Sequence, residues 1–204
     1  MNKRTITHIL CLTLYMFLKS TASAAPLLVD RLIVEISGKS YSQKQLEVYG
    51  LIRTIAMGEA ANLGLPSNTR WPEQVETFKN EMIIVTQLEN DQTKLDSFLP
   101  EASKVSDGVK ALNALQSKDS AVDEFIRGRS LSEGEITKTL TMIFRVEGYT
   151  RSRLQLSQTR SLDDQGPSFI KLDPNAEWFL SLQKATAFRY YSQAKEYKAL
   201  SPLR

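Results

Sequence analysis

The only cysteine and the only histidine of this 204-residue chain, Cys11 and His8, fall within its first 24 residues, and those residues read as an export leader. Lys3 and Arg4 give a positive start, Ile9 to Leu18 is a mostly apolar run closed by Lys19, and Ala22-Ser23-Ala24 supplies a small-x-small cleavage site. Cutting after Ala24 leaves Ala25-Pro26 as the new start. The apolar run is too short to span a bilayer, which takes about 20 residues. Residues 25–204 are therefore expected to be one exported domain with neither thiol nor imidazole, able to bury ~70% of its unfolded surface. Such a fold has no disulfide to rely on, so an apolar core must hold it, and a bacterial periplasm suits it better than a small disulfide-stapled scaffold would. The same absence removes Ser-His-Asp triads, Cys nucleophiles and nearly every structural zinc site. Function is left to surfaces, or to carboxylates and hydroxyls.

The net charge of +3 also belongs to the leader, whose charges are Lys3, Arg4 and Lys19. Removing those three from 26 basic residues leaves 23 against 23 acidic ones, a formally neutral protein. Neutrality withdraws the suggestion of nucleic acid or an anionic membrane that the full-length charge would carry. Charge is unevenly spread. Residues 25–150 hold 14 basic and 18 acidic side chains, and residues 151–204 hold 9 and 5. The two parts either dock through this asymmetry or present unrelated solvated faces.

Periodicity places mainly helices behind a short strand. Residues 31–36, Arg-Leu-Ile-Val-Glu-Ile, are strand-like, with Gly38-Lys39 as a turn and Ser40-Tyr41 as a brief return. Ser42-Gln43-Lys44-Gln45 is a capping box. It opens a helix expected to run through Leu46, Tyr49, Ile52 and Leu63 and to stop at Gly64. Pro72 marks the first turn of a second helix with an apolar stripe of Val75, Phe78, Met82, Val85 and Leu88. A break is expected at Pro100, a helix capped by Ser106-Asp107 presents Val109, Leu112 and Leu115, and another segment begins near Ser120. Ser132-Glu133-Gly134-Glu135 is a second capping box; Ile136, Leu140, Ile143 and Phe144 form the buried side of the helix it opens. Residues 157–171 are polar and turn-rich. Asp173-Pro174 then starts a closing helix with Trp178, Leu182 and Ala185 on one face, and Thr186 to Tyr191 alternates like a strand.

These elements, in this order, carry a resemblance. Val29-Asp30-Arg31 leading the strand, Ser42 to Glu47, Phe78 to Leu88, Lys104-Val105-Ser106-Asp107 and Glu177 to Lys184 together resemble the chaperone module of SurA-like periplasmic folding factors. The resemblance implies a mainly α, SurA N-terminal-like helical chaperone domain whose closing helix packs back on its start. It also implies a small sheet formed by N-terminal and C-terminal strands, with 186–191 paired to 31–36. In that family a parvulin isomerase domain of about 90–100 residues, with histidines in its active site, would be inserted near 157–171. Here that gap is short and no histidine follows His8, so the resemblance implies the scaffold without the isomerase.

No phosphate-binding glycine loop, zinc spacing or calcium loop is present, so no cofactor or metal is expected. Glu133 and Glu135 read as helix-start chemistry rather than a glycosidase pair. Arg127, Arg129, Arg145, Arg151 and Arg153 read as a solvated face or one that meets acidic helices. The aromatics are more numerous than a thin closing helix can easily cover. Trp71, Met82, Met142, Trp178, Phe179 and Tyr190 are thus the candidates for an apolar, peptide-binding cleft, each with core packing as its alternative. The expected function is a non-catalytic, holdase-like periplasmic chaperone for unfolded or partly folded exported or outer-membrane polypeptides, with no nucleic acid and no stable membrane insertion. The alternative is a dedicated envelope subunit that binds one folded partner on the same scaffold.

Overall fold

A run of apolar, β-branched residues needs a partner strand, and Leu32–Ile36 (β1) finds two. The computed structural model describes residues 30–61, 63, 69–157 and 169–191. The leader with its cleavage site, Gly64, and most of the 157–171 stretch lie outside the described residues. β2, Lys39–Ser42, returns antiparallel to β1 with Val34 opposite Tyr41 and Ile36 opposite Lys39. The two turn residues are Ser37 and Gly38, both at positive φ (49° and 83°), the geometry of a tight hairpin whose twist matches its strands. The turn thus falls one residue earlier than Gly38-Lys39, because Lys39 pairs.

On the other side of β1 lies β3, Phe188–Tyr190, antiparallel, with Val34 opposite Tyr190, Glu35 opposite Arg189 and Ile36 opposite Phe188. Ser37 N–H donates to the Ala187 carbonyl (2.8 Å) and Tyr191 N–H to the Ile33 carbonyl (3.0 Å). The expected closing strand is therefore present, in a three-stranded sheet ordered β2-β1-β3. Across it Arg189 pairs with Glu35 at 2.7 Å, and the Tyr191 hydroxyl donates to the same carboxylate at 2.8 Å.

Seven helices stand between β2 and β3 among the described residues: α1 Gln43–Ala56, α2 Trp71–Glu89, α3 Gln92–Ser97, α4 Ala102–Gln116, α5 Ser120–Gly128, α6 Glu133–Ser157 and α7 Glu177–Ala185. The protein is mainly α with a small sheet. Both capping boxes are formed. Ser42 Oγ accepts from Gln45 N–H while Gln45 Oε1 accepts from Ser42 N–H, and Ser132 and Glu135 reciprocate in the same way. The Ser132 groups that hold Glu135 also keep its carboxyl below the usual range. Three helix boundaries differ from expectation. α1 ends at Ala56, with Gly58 at φ 69° taking the chain away, so Leu63 reaches the core from outside the helix. α4 begins a turn before Ser106, which leaves Asp107 exposed and paired with Lys110. α7 begins at Glu177, because Asp173 spends its carboxylate on the turn N–H of Asn175.

α2 is the axis of the molecule and touches β1, α1, α3, α6 and α7. A helix surrounded in this way must be apolar over most of its circumference. Val75, Phe78, Met82, Ile83, Ile84, Val85 and Leu88 are buried, and so are Lys79, Asn80 and Glu81. The buried apolar residues form one cluster that includes the inward residues of β1 and Phe179 of α7, with Trp178, Leu182 and Tyr190 packed on it. Ion pairs Lys171–Glu59 and Arg189–Glu35 join the basic C-terminal part to the acidic remainder, at exposed positions where such pairs contribute little. No helix among the described residues is long and apolar enough to cross a membrane.

Candidate functional site

Tyr49 and Arg53 are four residues apart on α1 and so share one of its faces. That face meets α2 at Glu81. The Tyr49 hydroxyl donates to the Glu81 carboxylate, and Arg53 Nε donates to both carboxylate oxygens at 2.9 and 3.1 Å. The Glu81 side chain is 3% exposed and that of Arg53 15%. Burial pushes the Tyr49 phenol well above its ordinary value, and the Glu81 charge beside it pushes the same way. Burial works against the charge on Arg53, but the Glu81 carboxylate and Tyr49 overcome it and hold the guanidinium more firmly protonated than usual. The three groups are a matched set: a protonated phenol, a charged guanidinium and the carboxylate that both address.

This set lines a cleft of about 410 Å³ between α1 and α2. Its floor is apolar, with Leu46 and Phe78, and the Phe78 ring meets Tyr49 edge-on at 5.1 Å. Its sides carry charge. Arg70 faces Glu73 at 3.5 Å, and Glu76 accepts from Lys79 at 2.7 Å and from the Tyr190 hydroxyl. The third side is the stretch before α7, with Lys171, Leu172 and Pro174. Lys171 donates to Glu59 at 2.7 Å, which holds the Glu59 carboxyl below its usual range.

Two further lining groups are incompletely satisfied. Asn80 Oδ1 and Gln74 Oε1 are shielded from solvent and have no hydrogen-bond partner among the described residues. A buried acceptor left in that state costs about 1–3 kcal/mol. Both belong to α2, where tertiary packing on every side has drawn polar side chains inward. The cleft thus combines an apolar floor with paired charges at its rim, and its two unpartnered acceptors are sealed off from the open space.

The six candidate residues from the sequence do not assemble into one surface. Trp71 is 1% exposed, Met82 1% and Phe179 0%, so these three are core residues and are withdrawn as lining of an open groove. Their large apolar surfaces are what α2 and α7 bury to dock. Met142, Trp178 and Tyr190 are half-buried and packed on the same core. Trp178 lies in an aromatic row, 5.8 Å from Tyr149 and 5.7 Å from Phe179, and Tyr149 continues to Phe98 at 5.3 Å. None of the six lines the cleft; Tyr190 reaches only its rim, through Glu76. Three of the five clustered arginines meet acidic partners, Arg127 with Asp123, Arg129 with buried Glu47, and Arg151 with buried Glu147; Arg153 donates instead to the Tyr149 hydroxyl, and Arg145 Nε is buried with no partner among the described residues.

The cleft residues Tyr49, Arg53, Asn80 and Glu81 were not visible as a site in the sequence. One signal for them was present: Lys79-Asn80-Glu81 interrupts the apolar stripe of α2, where an ionised group needs a partner. No protein-family description, curated protein or solved structure matches this chain.

Proposed function

We propose that this protein is a non-catalytic, holdase-like chaperone of the periplasm that binds unfolded or partly folded exported polypeptides, outer-membrane proteins among them, in the cleft between α1 and α2. The observation that carries this reading is the cleft itself. Its volume lies within the roughly 300–1,000 Å³ typical of ligand pockets, and its lining suits the two parts of an unfolded chain. Apolar client side chains meet Met57 and Ala60, which are accessible in the cleft lining, while client backbone N–H groups meet the exposed carboxylates of Glu59 and Glu73. The rigidity of the Tyr49–Arg53–Glu81 set supports binding without chemistry, since each group is already committed to another. The resemblance of residues 29–47, 78–88, 104–107 and 177–184 to SurA-like factors points the same way.

Suppression of aggregation tests this reading. The processed protein, residues 25–204, at equimolar ratio should slow the light-scattering rise of several unrelated unfolded proteins. Failure on all of them, with tight binding to a single folded envelope protein, would favour the dedicated-subunit reading instead. The same preparation should leave proline isomerisation of a test peptide at its uncatalysed rate.

A further inference from the structure

The third side of the cleft is neither helix nor strand. Residues 169–172 have no regular secondary structure and lead to α7 through a turn at Pro174 and Asn175. Among the described hydrogen bonds, none uses the backbone N–H or C=O of residues 169–172. The stretch is held by side chains. Lys171 donates to Glu59, Phe169 lies 5.9 Å from the Arg53 guanidinium, and Phe169 and Leu172 pack against the core. The Lys171–Glu59 pair is largely exposed, with side chains 61% and 46% accessible, and such pairs are weak. A cation–π contact near the outer limit of its range adds little more.

Seated this way, the stretch does what an extended client would do. It puts an aromatic ring near Arg53, a basic residue two positions on against Glu59, and an aliphatic residue next to that on the apolar lining. It also sits where charge favours it. Without Lys171 the lining holds Arg53 and Arg70 against Glu59, Glu73, Glu76 and Glu81, an acidic balance that attracts a cation.

We infer that residues 169–174, which wall one side of the client cleft, are a built-in competitor, a strap of this chain whose place against Arg53 and Glu59 a client takes, and that the cleft takes extended polypeptide segments of the same pattern: aromatic, any residue, basic, aliphatic. The inference rests on the cleft being the client site. Client and strap exclude each other, so the apparent affinity for a client is the intrinsic affinity reduced by the fraction of molecules with the strap displaced. Weakening the strap therefore tightens client binding. Removing an exposed ion pair changes such an equilibrium by up to about fivefold.

The test is fluorescence anisotropy with the processed protein and a labelled peptide containing Phe-Ile-Lys-Leu-Asp-Pro, alongside a labelled unfolded client protein. Lys171→Glu sets a carboxylate against Glu59 and should bind the peptide about fivefold more tightly at low salt, the gain shrinking as salt screens the pair. Lys171→Ser should shift it the same way by less, and secures the result if the first variant fails to fold. Glu59→Lys weakens the strap and the lysine peptide alike, so it should leave the apparent affinity for that peptide nearly unchanged and raise it for the version in which glutamate replaces lysine. Binding of the unfolded client without any gain in either Lys171 variant, or without the charge-swap preference, overturns the strap and leaves the client site standing. Failure of folded wild-type protein to bind either ligand removes the client site and the strap together.

Discussion

Glu81 is the position where the structure makes its most demanding energetic statement. Truncation by Glu81→Ala leaves the Arg53 guanidinium largely buried with no carboxylate, and leaves the Tyr49 hydroxyl with no acceptor. Breaking a buried ion pair by removing one partner costs about 3–5 kcal/mol, and an orphaned buried hydroxyl about 1–3 kcal/mol. The two overlap because both groups address one carboxylate, so their costs do not add. Arg53 also borders the cleft, from which water can reach it once Glu81 is gone. The expected loss is therefore about 3 kcal/mol, the low end of the ion-pair range. At a urea m-value of about 2 kcal/mol per molar, that lowers the midpoint by about 1.5 M. Adding Arg53→Met removes the stranded charge and should restore part of the loss, so the double variant is more stable than the sum of the single changes implies. Urea unfolding followed by far-UV circular dichroism reads all three variants. A loss under about 1 kcal/mol for Glu81→Ala, the scale of an exposed pair, or strict additivity in the cycle would refute the buried set at the cleft base.

Two other outcomes follow from the sheet and its charges. Truncation before Thr186 removes β3 and the two flanking hydrogen bonds, Ser37 to Ala187 and Tyr191 to Ile33. At about 1 kcal/mol per bond, with Val34 and Ile36 uncovered as well, it should lower the midpoint of the entire helical transition; an unchanged midpoint would mean that β3 does not close the domain. Glu35 is held below the ordinary carboxylate range chiefly by the Tyr191 hydroxyl and then by Arg189, and Glu59 by Lys171. A depressed folded-state value means stability is present above the unfolded carboxylate value, about 4.3, and is lost as pH falls through the lower folded one. The urea midpoint should thus drop on acidification below about pH 4.3, with a shallower drop in the Glu35→Gln, Glu59→Gln double variant. Equal acid slopes in the two proteins would exclude these pairs as a source.

Features with a local chemical signature were legible in the sequence. Ser42–Gln45 and Ser132–Glu135 announce helix starts because each box satisfies backbone donors within three residues. The stripe of α2 was plain from its spacing. The strand at 188–190 lies within the alternation of 186–191, while its pairing with 32–36 was implied by the resemblance. Boundaries set by competing local interactions were not legible. Leu63 continues the period of α1, yet the helix stops at Ala56, where Met57 and Gly58 turn the chain and let Leu63 reach the core independently. Asp173-Pro174 looks like a helix start and makes a turn instead.

The candidate site was the least legible part. Aromatic content alone cannot separate core from groove, and Trp71 and Phe179 went to the core because docking α2 and α7 buries their large apolar surface. The cleft depends on Tyr49 and Arg53 meeting Glu81, 32 and 28 residues away in the chain. Such a pairing is fixed by how two helices cross, which the period of either helix does not encode.

Site-specific photo-crosslinking tests the central claim, that the α1–α2 cleft holds unfolded polypeptide, most directly. A photoreactive phenylalanine analogue at Glu73, which is exposed and lines the cleft, is compared with one at Lys110, which is exposed on α4 and does not line it. The account predicts that an unfolded outer-membrane protein crosslinks efficiently at position 73 and at background at position 110, and that excess unlabelled client abolishes the signal at 73. Equal crosslinking at both positions, or crosslinking at 110 alone, would contradict it.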